Sequence, residues 1–220
     1  MLRLRHPFLL TAGWLAAALL CAAAPARAQS VKVEDLAAGK LLVAKETDRR
    51  FAQTVILLVE YDAQGALGLT INRRTDVPIA EALQNASGWT DPVFLGGPVE
   101  TSAVFALLRS GDKQDGMKTV VDEVHWVTSR EVLEKLLSEG PASGTSGAKG
   151  ASTMRVYLGY SGWGAGQLDN EVKLGSWHIF DASADLVFDA DPATVWKRLK
   201  DRTEQRFAYR TGSASLLPAN

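Results

Sequence analysis

The chain has 220 residues, of which 46% are hydrophobic and 22% charged, with a formal net charge of −1 and one cysteine. This length and apolar fraction suffice for one hydrophobic core, whereas a single cysteine excludes a framework of internal disulfides. The mildly acidic balance gives no electrostatic reason to bind nucleic acid or an anionic membrane surface. We therefore expect a globular domain that does not bind nucleic acid.

The first 28 residues are predicted to be a secretory signal peptide. Arg3 and Arg5 form a short positive region, residues 8–24 are almost continuously apolar, and Ala26 and Ala28 are the small residues that a signal peptidase reads. Cleavage after Ala28 would place the chain in the periplasm or outside the cell, without a stable membrane anchor. An uncleaved anchor is the alternative, although the apolar run is shorter than the ~20 residues that span a bilayer.

Strands dominate the first half of the predicted domain, after a lead-in at residues 29–38. Residues 55–59 read Val-Ile-Leu-Leu-Val without polar alternation, which predicts a strand that is covered on both faces. Gly68 indicates a bulge or close packing by a neighbour. The predicted strands are 41–44, 54–61, 66–72, 93–95, 103–109 and 119–127, and Pro78 is predicted to begin a short helix at 78–84.

The second half begins with the pattern of a capping box, in which Thr128 caps a helix and Glu131 reaches back to it. Residues 139–153 are rich in glycine, serine and alanine, which predicts a flexible surface loop. The remaining predicted elements are a strand at 154–160, a short helix at 166–173, extended segments at 175–181 and 185–189, a last helix from Asp191 with Val195, Trp196 and Leu199 facing inward, and a polar tail at 201–220. Because strands and helices do not alternate regularly, the pattern favours the α+β class.

Several segments occur in an order that resembles the AlgH-like family, also called YqgE-type. The resemblance extends over residues 39–199 and is carried by 39–44, 55–59, 65–69, 72–73, 94–99, 159–163, 166–171 and 176–177. It implies a single domain at residues 39–200, in which a bifurcated, mostly antiparallel sheet folds into a barrel-like shape with a few short flanking helices.

The resemblance also implies a functional surface around two glycine-rich segments. Gln167 and Glu171 are four residues apart and would share one face of a helix beside Tyr160 and Trp163, where they could hold a small polar ligand. In the alternative interpretation, Glu171 pairs with Arg73 or another basic side chain and is structural. The residues carried over from the family motifs are Asn72, Arg73, Gly96, Gly97, Pro98, Gly159, Tyr160, Gly162, Trp163, Gly166, Gln167 and Glu171.

The leading hypothesis is a non-enzymatic, exported domain that binds a small ligand or a protein partner. One alternative is a hydrolase that uses Glu171 or Asp181 with His178. Another is a transcriptional regulator, which the family name implies and the signal peptide disfavours.

The sequence contains no recognisable cofactor or metal motif. Gly162 and Gly164 lack the third glycine of a dinucleotide fingerprint, and Ser161 lacks the second glycine of a nucleophile elbow. His125 and His178 do not have the spacing of metal ligands. We therefore predict no cofactor, no metal ion and no set of catalytic residues.

Overall fold

The computed structural model describes residues 33–46, 52–140 and 154–214, with residues 205–214 described by their backbone alone. All of them belong to one compact unit, Val31–Asn220. The predicted signal peptide and most of the predicted 139–153 loop lie outside the described residues and stay predictions. In the part of the chain that is described, no helix combines the length and the apolar character that crossing a bilayer requires.

The described residues form ten strands and five α-helices, preceded by one turn of 3-10 helix at Val33–Asp35. The strands are β1 Lys40–Ala44, β2 Val55–Asp62, β3 Gly65–Thr70, β4 Arg74–Pro78, β5 Pro92–Leu95, β6 Val99–Arg109, β7 Met117–Val121, β8 Val124–Val127, β9 Met154–Gly164 and β10 Trp177–Asp181. The helices are α1 Ile79–Ala82, α2 Arg130–Glu139, α3 Gln167–Lys173, α4 Ala184–Val187 and α5 Pro192–Ala214.

Strand β9 is shared by both branches of the sheet. One of its edges pairs with β6, in antiparallel orientation. The other edge pairs first with β5, in parallel through Tyr157 and Leu158, and then with β3, antiparallel from Ser161 to Gly164. The strand order is β10-β1-β2-β3-β9-β6-β8-β7, with β4 attached to β5. This bifurcated, mostly antiparallel sheet curls into a half-barrel, which confirms the predicted α+β architecture.

Strand β2 shows how the core is divided between two faces of the sheet. Val55 and Val59 pack in a cluster with residues of α4 and α5, and we call this side the α5 face. Ile56 lies on the opposite side, in a cluster with Trp163 and residues of α3, and we call this side the α3 face. Because all residues from Val55 to Val59 are fully buried, the prediction that this strand is covered on both faces is confirmed.

Two segments have a different local structure from the one predicted. Residues 119–127 were expected to form one strand, but they form the ends of β7 and β8, which turn at Asp122 with φ of 45°. Residues 185–189 were expected to be extended, but most of them lie in α4, where the Ser183 hydroxyl accepts a hydrogen bond from the Leu186 amide at 3.3 Å. In both cases a turn or cap formed by polar residues overrides the apolar pattern.

The ends of two helices also differ from their predictions. The cap of α2 is Ser129 instead of Thr128, because the Ser129 hydroxyl accepts from the Val132 amide at 3.3 Å. The same hydroxyl donates to Glu131 at 2.7 Å. Helix α5 continues to Ala214, beyond the predicted start of the tail at residue 201.

Candidate functional site

The first glycine-rich segment, which contains Gly96 and Gly97, lies where β3 and β5 separate along β9. The Gly96 amide donates to the Leu158 carbonyl at 2.8 Å, and the Gly96 carbonyl accepts from the Thr70 amide at 2.8 Å. A Cβ atom on Gly97 would lie only 2.1 Å from the Tyr160 carbonyl carbon. Gly96 and Gly97 therefore allow close contact between the backbones of the two glycine-rich segments at the point where β3 and β5 separate along β9. We call this point the fork of the sheet.

The second glycine-rich segment lies within β9 itself. Gly159 has φ of 69°, and the pairing of β6 with β9 shifts register beside it. Beyond this irregularity, Tyr160 packs on the α5 face, with its ring 5.5 Å from that of Phe105. Trp163 packs on the α3 face, 6.2 Å from the Trp177 ring. Tyr160 and Trp163 therefore lie on opposite sides of the sheet and do not line one site, contrary to the expectation.

Glu171 connects α3 to the two tryptophans on the α3 face. One of its carboxylate oxygens accepts from the Trp163 indole at 3.0 Å and from the Trp177 indole at 2.9 Å. The other oxygen accepts from the Gln167 amide group at 3.2 Å, so Gln167 and Glu171 do share one face of the helix. Gly166 precedes the helix in the left-handed conformation, with φ of 68°. These contacts position α3 against the sheet.

Asn72 and Arg73 form hydrogen bonds with the backbone at and just before the start of β2. The side-chain oxygen of Asn72 accepts from the Val55 amide at 2.8 Å, and its amide nitrogen donates to the Gln53 carbonyl at 2.8 Å. Arg73 donates to the Ala52 carbonyl at 2.6 Å. Among the described residues, Glu171 therefore makes structural contacts with the two indoles and Gln167 in place of the expected Arg73.

Two further predicted residues occupy peripheral positions. Pro98 is exposed on the short connection between β5 and β6. A Cβ atom on Gly162 would lie 2.9 Å from the Tyr160 ring, so this glycine makes room for an aromatic side chain. Neither position contributes to the contacts of Glu171.

A pocket of about 300 Å³ opens beside α3, at the tip of the β2–β3 hairpin. We call it the hairpin pocket. The Tyr61 hydroxyl donates to Asp169 at 2.8 Å across it, and the buried Leu168 forms an apolar part of its lining. Its lining residues are Tyr61, Asp62, Ala63, Gly65, Gly164, Gly166, Leu168 and Asp169.

Only Gly166 of the lining residues was among the predicted site residues. The hairpin and α3 are about a hundred residues apart, so sequence spacing does not reveal that they meet. The structure itself draws attention to Gly164. It lacks a positive φ, and a Cβ atom added there would meet nothing within 4 Å. Neither backbone conformation nor packing requires a glycine at this edge of the pocket.

The hydrogen bond across the pocket should be visible in an alkaline titration. Burial first and Asp169 second raise the pKa of Tyr61 to about 12. Because the folded state holds this proton more tightly than the unfolded chain, the contribution of Tyr61 to stability is complete below pH 10 and is lost as pH rises towards 12.

We expect Tyr61→Phe to remove one tyrosine that ionises near pH 12 from the ultraviolet absorbance titration. Asp169→Asn should shift the same transition to lower pH. Burial raises the pKa of Tyr157 to about 12 as well, so one high transition should remain in both variants. An unchanged titration of Tyr61→Phe would contradict the assignment.

The residues proposed for hydrolysis do not come together. Successive side chains on a strand point to opposite faces, so His178 points away from Trp177 and from the Glu171 carboxylate that binds it. Burial first and the Lys45 ammonium second lower the pKa of His178. Asp181 pairs with Lys40 at 2.5 Å. The three side chains therefore have separate surroundings.

Ser161 and His125, which were considered as a nucleophile and as a metal ligand, are both buried in the sheet. Ser161 is buried in β9. One ring nitrogen of His125 lies 3.1 Å from the Thr119 hydroxyl, and the other lies 2.9 Å from the Ser110 carbonyl. Within the described ranges, no group of three or more His, Cys, Asp or Glu residues could hold a metal ion.

Comparison with known proteins identifies a family. Residues 41–208 match the family model described as AlgH-like. A UPF0301 protein of Chlorobium luteolum is 36% identical over 165 residues, which cover 74% of this chain and 84% of the relative. The UPF0301 protein CT0663 of Chlorobaculum tepidum is 33% identical, over 83% of this chain and 95% of the relative.

Solved structures show the same fold. The solution structure of the AlgH protein from Pseudomonas aeruginosa aligns with a TM-score of 0.59 and 29% identity, over 83% of this chain and 95% of that chain. The crystal structure of protein DIP2367 from Corynebacterium diphtheriae also aligns with a TM-score of 0.59, at 21% identity, over 76% of this chain and 87% of that chain.

Proposed function

The chain belongs to the AlgH-like family, which has no characterised function, and we propose that this member is a non-enzymatic domain that binds a small polar ligand in the hairpin pocket. The observation that carries the proposal is the pocket of about 300 Å³, the lower end of the size range typical of ligand sites. Its lining combines an apolar floor at Leu168 with the paired polar groups of Tyr61 and Asp169.

The role of Gly164 supports this proposal. Glycine weakens a strand, because it adds backbone entropy to the unfolded chain and offers no side chain for packing. Gly164 carries this cost in β9 without a steric reason, yet it borders the pocket. We infer that an open pocket edge favours glycine at this position, since any side chain here adds bulk at a residue that lines the pocket.

The architecture around Glu171 supports a binding role over a catalytic one. The carboxylate uses both oxygens to hold Trp163, Trp177 and Gln167, which fixes α3 and therefore Asp169 at the pocket. A rigid second layer of this kind preorganises a binding site. In this proposal the family motif holds the pocket in place, and the ligand contacts residues of the hairpin and of α3.

The experiment is a ligand search by NMR with the full chain labelled with ¹⁵N. We expect a mixture of water-soluble amines, carboxylic acids, sugars and nucleosides to shift the amide signals of Tyr61, Gly164 and Asp169. The Gly164→Val variant should lose these shifts, because its side chain occupies the edge of the pocket. Shifts that appear elsewhere on the domain and persist in Gly164→Val would overturn the proposed site.

Gly111→Val is the matched control. Gly111 also lacks a positive φ, and a Cβ atom there also meets nothing within 4 Å, but the residue does not line the pocket. This variant should keep the ligand shifts of the wild type. Loss of binding in both variants would mean that the substitution acts through general destabilisation.

A further inference from the structure

Negative charge without a cationic partner is the main chemical feature of the hairpin pocket. Asp62 and Asp169 line it, and none of the described residues that line it is a Lys, Arg or His. In the described part of the chain, neither carboxylate takes part in an ion pair. Asp62 uses one oxygen for the amides of Gln64 and Gly65, at 2.7 and 3.2 Å. Asp169 uses one oxygen for Tyr61, at 2.8 Å.

The second oxygen of each carboxylate is therefore available to a ligand, as judged from the contacts among the described residues. A carboxylate prefers to accept hydrogen bonds from a cation, and such charge-assisted bonds are about twice as strong as neutral ones. An anionic ligand would instead meet two like charges at short range. The lining thus selects against carboxylate and phosphate ligands.

The other lining groups favour an organic cation. The face of an aromatic ring attracts an ammonium group, and Tyr61 supplies such a ring at the pocket. Leu168 supplies an apolar surface for a hydrocarbon chain. The pocket therefore offers separate places for the charged and the apolar parts of one small molecule.

We propose that the hairpin pocket binds an organic ammonium compound, with Asp169 and Asp62 accepting its N–H groups, the Tyr61 ring beside an ammonium group and Leu168 contacting its carbon chain. This inference rests on the function proposed above and adds the chemical class of the ligand. Two carboxylates on one pocket suit a diamine better than a monoamine, because each positive end then meets a negative partner.

The test uses the full chain and a matched pair of probes, 1,4-diaminobutane and 1,4-butanediol. Both have the same chain and a polar group at each end, but only the diamine is charged at pH 7. Titration followed by ¹⁵N NMR at low salt should show one diamine bound per chain, with shifts at Tyr61, Gly164 and Asp169. The diol should bind at least about tenfold more weakly, which is the effect expected for losing one charge-assisted contact.

Two variants and a change of salt concentration test whether diamine binding depends on charge or only on the shape of the pocket. Asp169→Asn keeps an acceptor for the Tyr61 hydroxyl, and we expect it to weaken diamine binding by about tenfold or more. Asp112→Asn removes an exposed charge that does not line the pocket and should bind like the wild type. Raising the salt concentration should weaken diamine binding to the wild type, because screening reduces attraction between exposed charges.

The outcomes distinguish the inference from the proposed function. If the diol binds as well as the diamine, or Asp169→Asn binds the diamine like the wild type, the ammonium inference is overturned while the pocket remains a ligand site. If the diamine produces no shifts at the pocket, the inference is also overturned. The ligand search with the wider mixture then decides the proposed function independently.

Discussion

Replacing Gly159 with alanine should lower the free energy of unfolding by about 2–6 kcal/mol, the sum of a left-handed backbone strain and an overpacked contact. Gly159 has φ of 69°, which L-residues with a Cβ atom rarely adopt. An added Cβ would lie 2.6 Å from the Gly97 carbonyl oxygen and 2.9 Å from that of Val99. Both are backbone atoms and cannot rotate away, so relief of the clash requires separation of the strands at the fork.

Urea unfolding followed by circular dichroism measures this effect, with Gly111→Ala as the control. Gly111 has open space around its Cβ position and lacks a positive φ, so its replacement should change stability by less than about 0.5 kcal/mol. A Gly159→Ala variant as stable as Gly111→Ala would show that the fork tolerates a side chain. The close contact between the two glycine segments would then be absent in solution.

Glu171→Ala should produce the second large loss, about 3–5 kcal/mol, because two hydrogen bonds to a charged acceptor are removed. The indoles of Trp163 and Trp177 donate to the same carboxylate oxygen, at 3.0 and 2.9 Å, and both tryptophans are buried. The variant also removes the contact with Gln167 that stabilises α3. The intrinsic fluorescence should change together with the unfolding midpoint, because both rings lose a neighbouring charge.

Glu171→Gln provides the matched comparison. Its side-chain carbonyl can still accept from the indoles, so we expect less than half of the loss seen in the alanine variant. If both variants lose the same amount, the negative charge is what the cluster requires. If Glu171→Ala loses less than about 1 kcal/mol, the carboxylate does not hold α3, and the proposed preorganisation of the pocket is wrong.

Elements with a strong local pattern were predictable. The unbroken apolar run from Val55 to Val59 predicted a strand covered on both faces, and the structure buries it completely. The helix that places Val195, Trp196 and Leu199 inward was also predictable, since these positions repeat at helical spacing and all three are buried. In such elements the residues that determine the conformation lie within a few positions of one another.

Helix caps and turns formed by polar residues were harder to predict from the sequence. Thr128 and Ser129 are adjacent hydroxyl residues, and either could cap α2 until the packing of Val132 and Leu137 sets the start of the helix. The turn at Asp122 divides a segment whose apolar residues resemble one strand. In both places two local structures of similar free energy compete, and contacts from other elements decide between them.

The sequence by itself determined the family, the α+β class and the presence of two glycine segments with a nearby Gln167–Glu171 pair. Only the tertiary structure decided what these segments do. Gly159 interrupts the alternation of β9, so Tyr157 and Tyr160 both pack on the α5 face although they are three residues apart, while Trp163 packs on the α3 face. The pocket likewise forms where Tyr61 meets Asp169, which are 108 residues apart. Strand register and contacts between distant segments depend on free energies summed over the whole sheet, and such sums leave no signal in a short stretch of sequence.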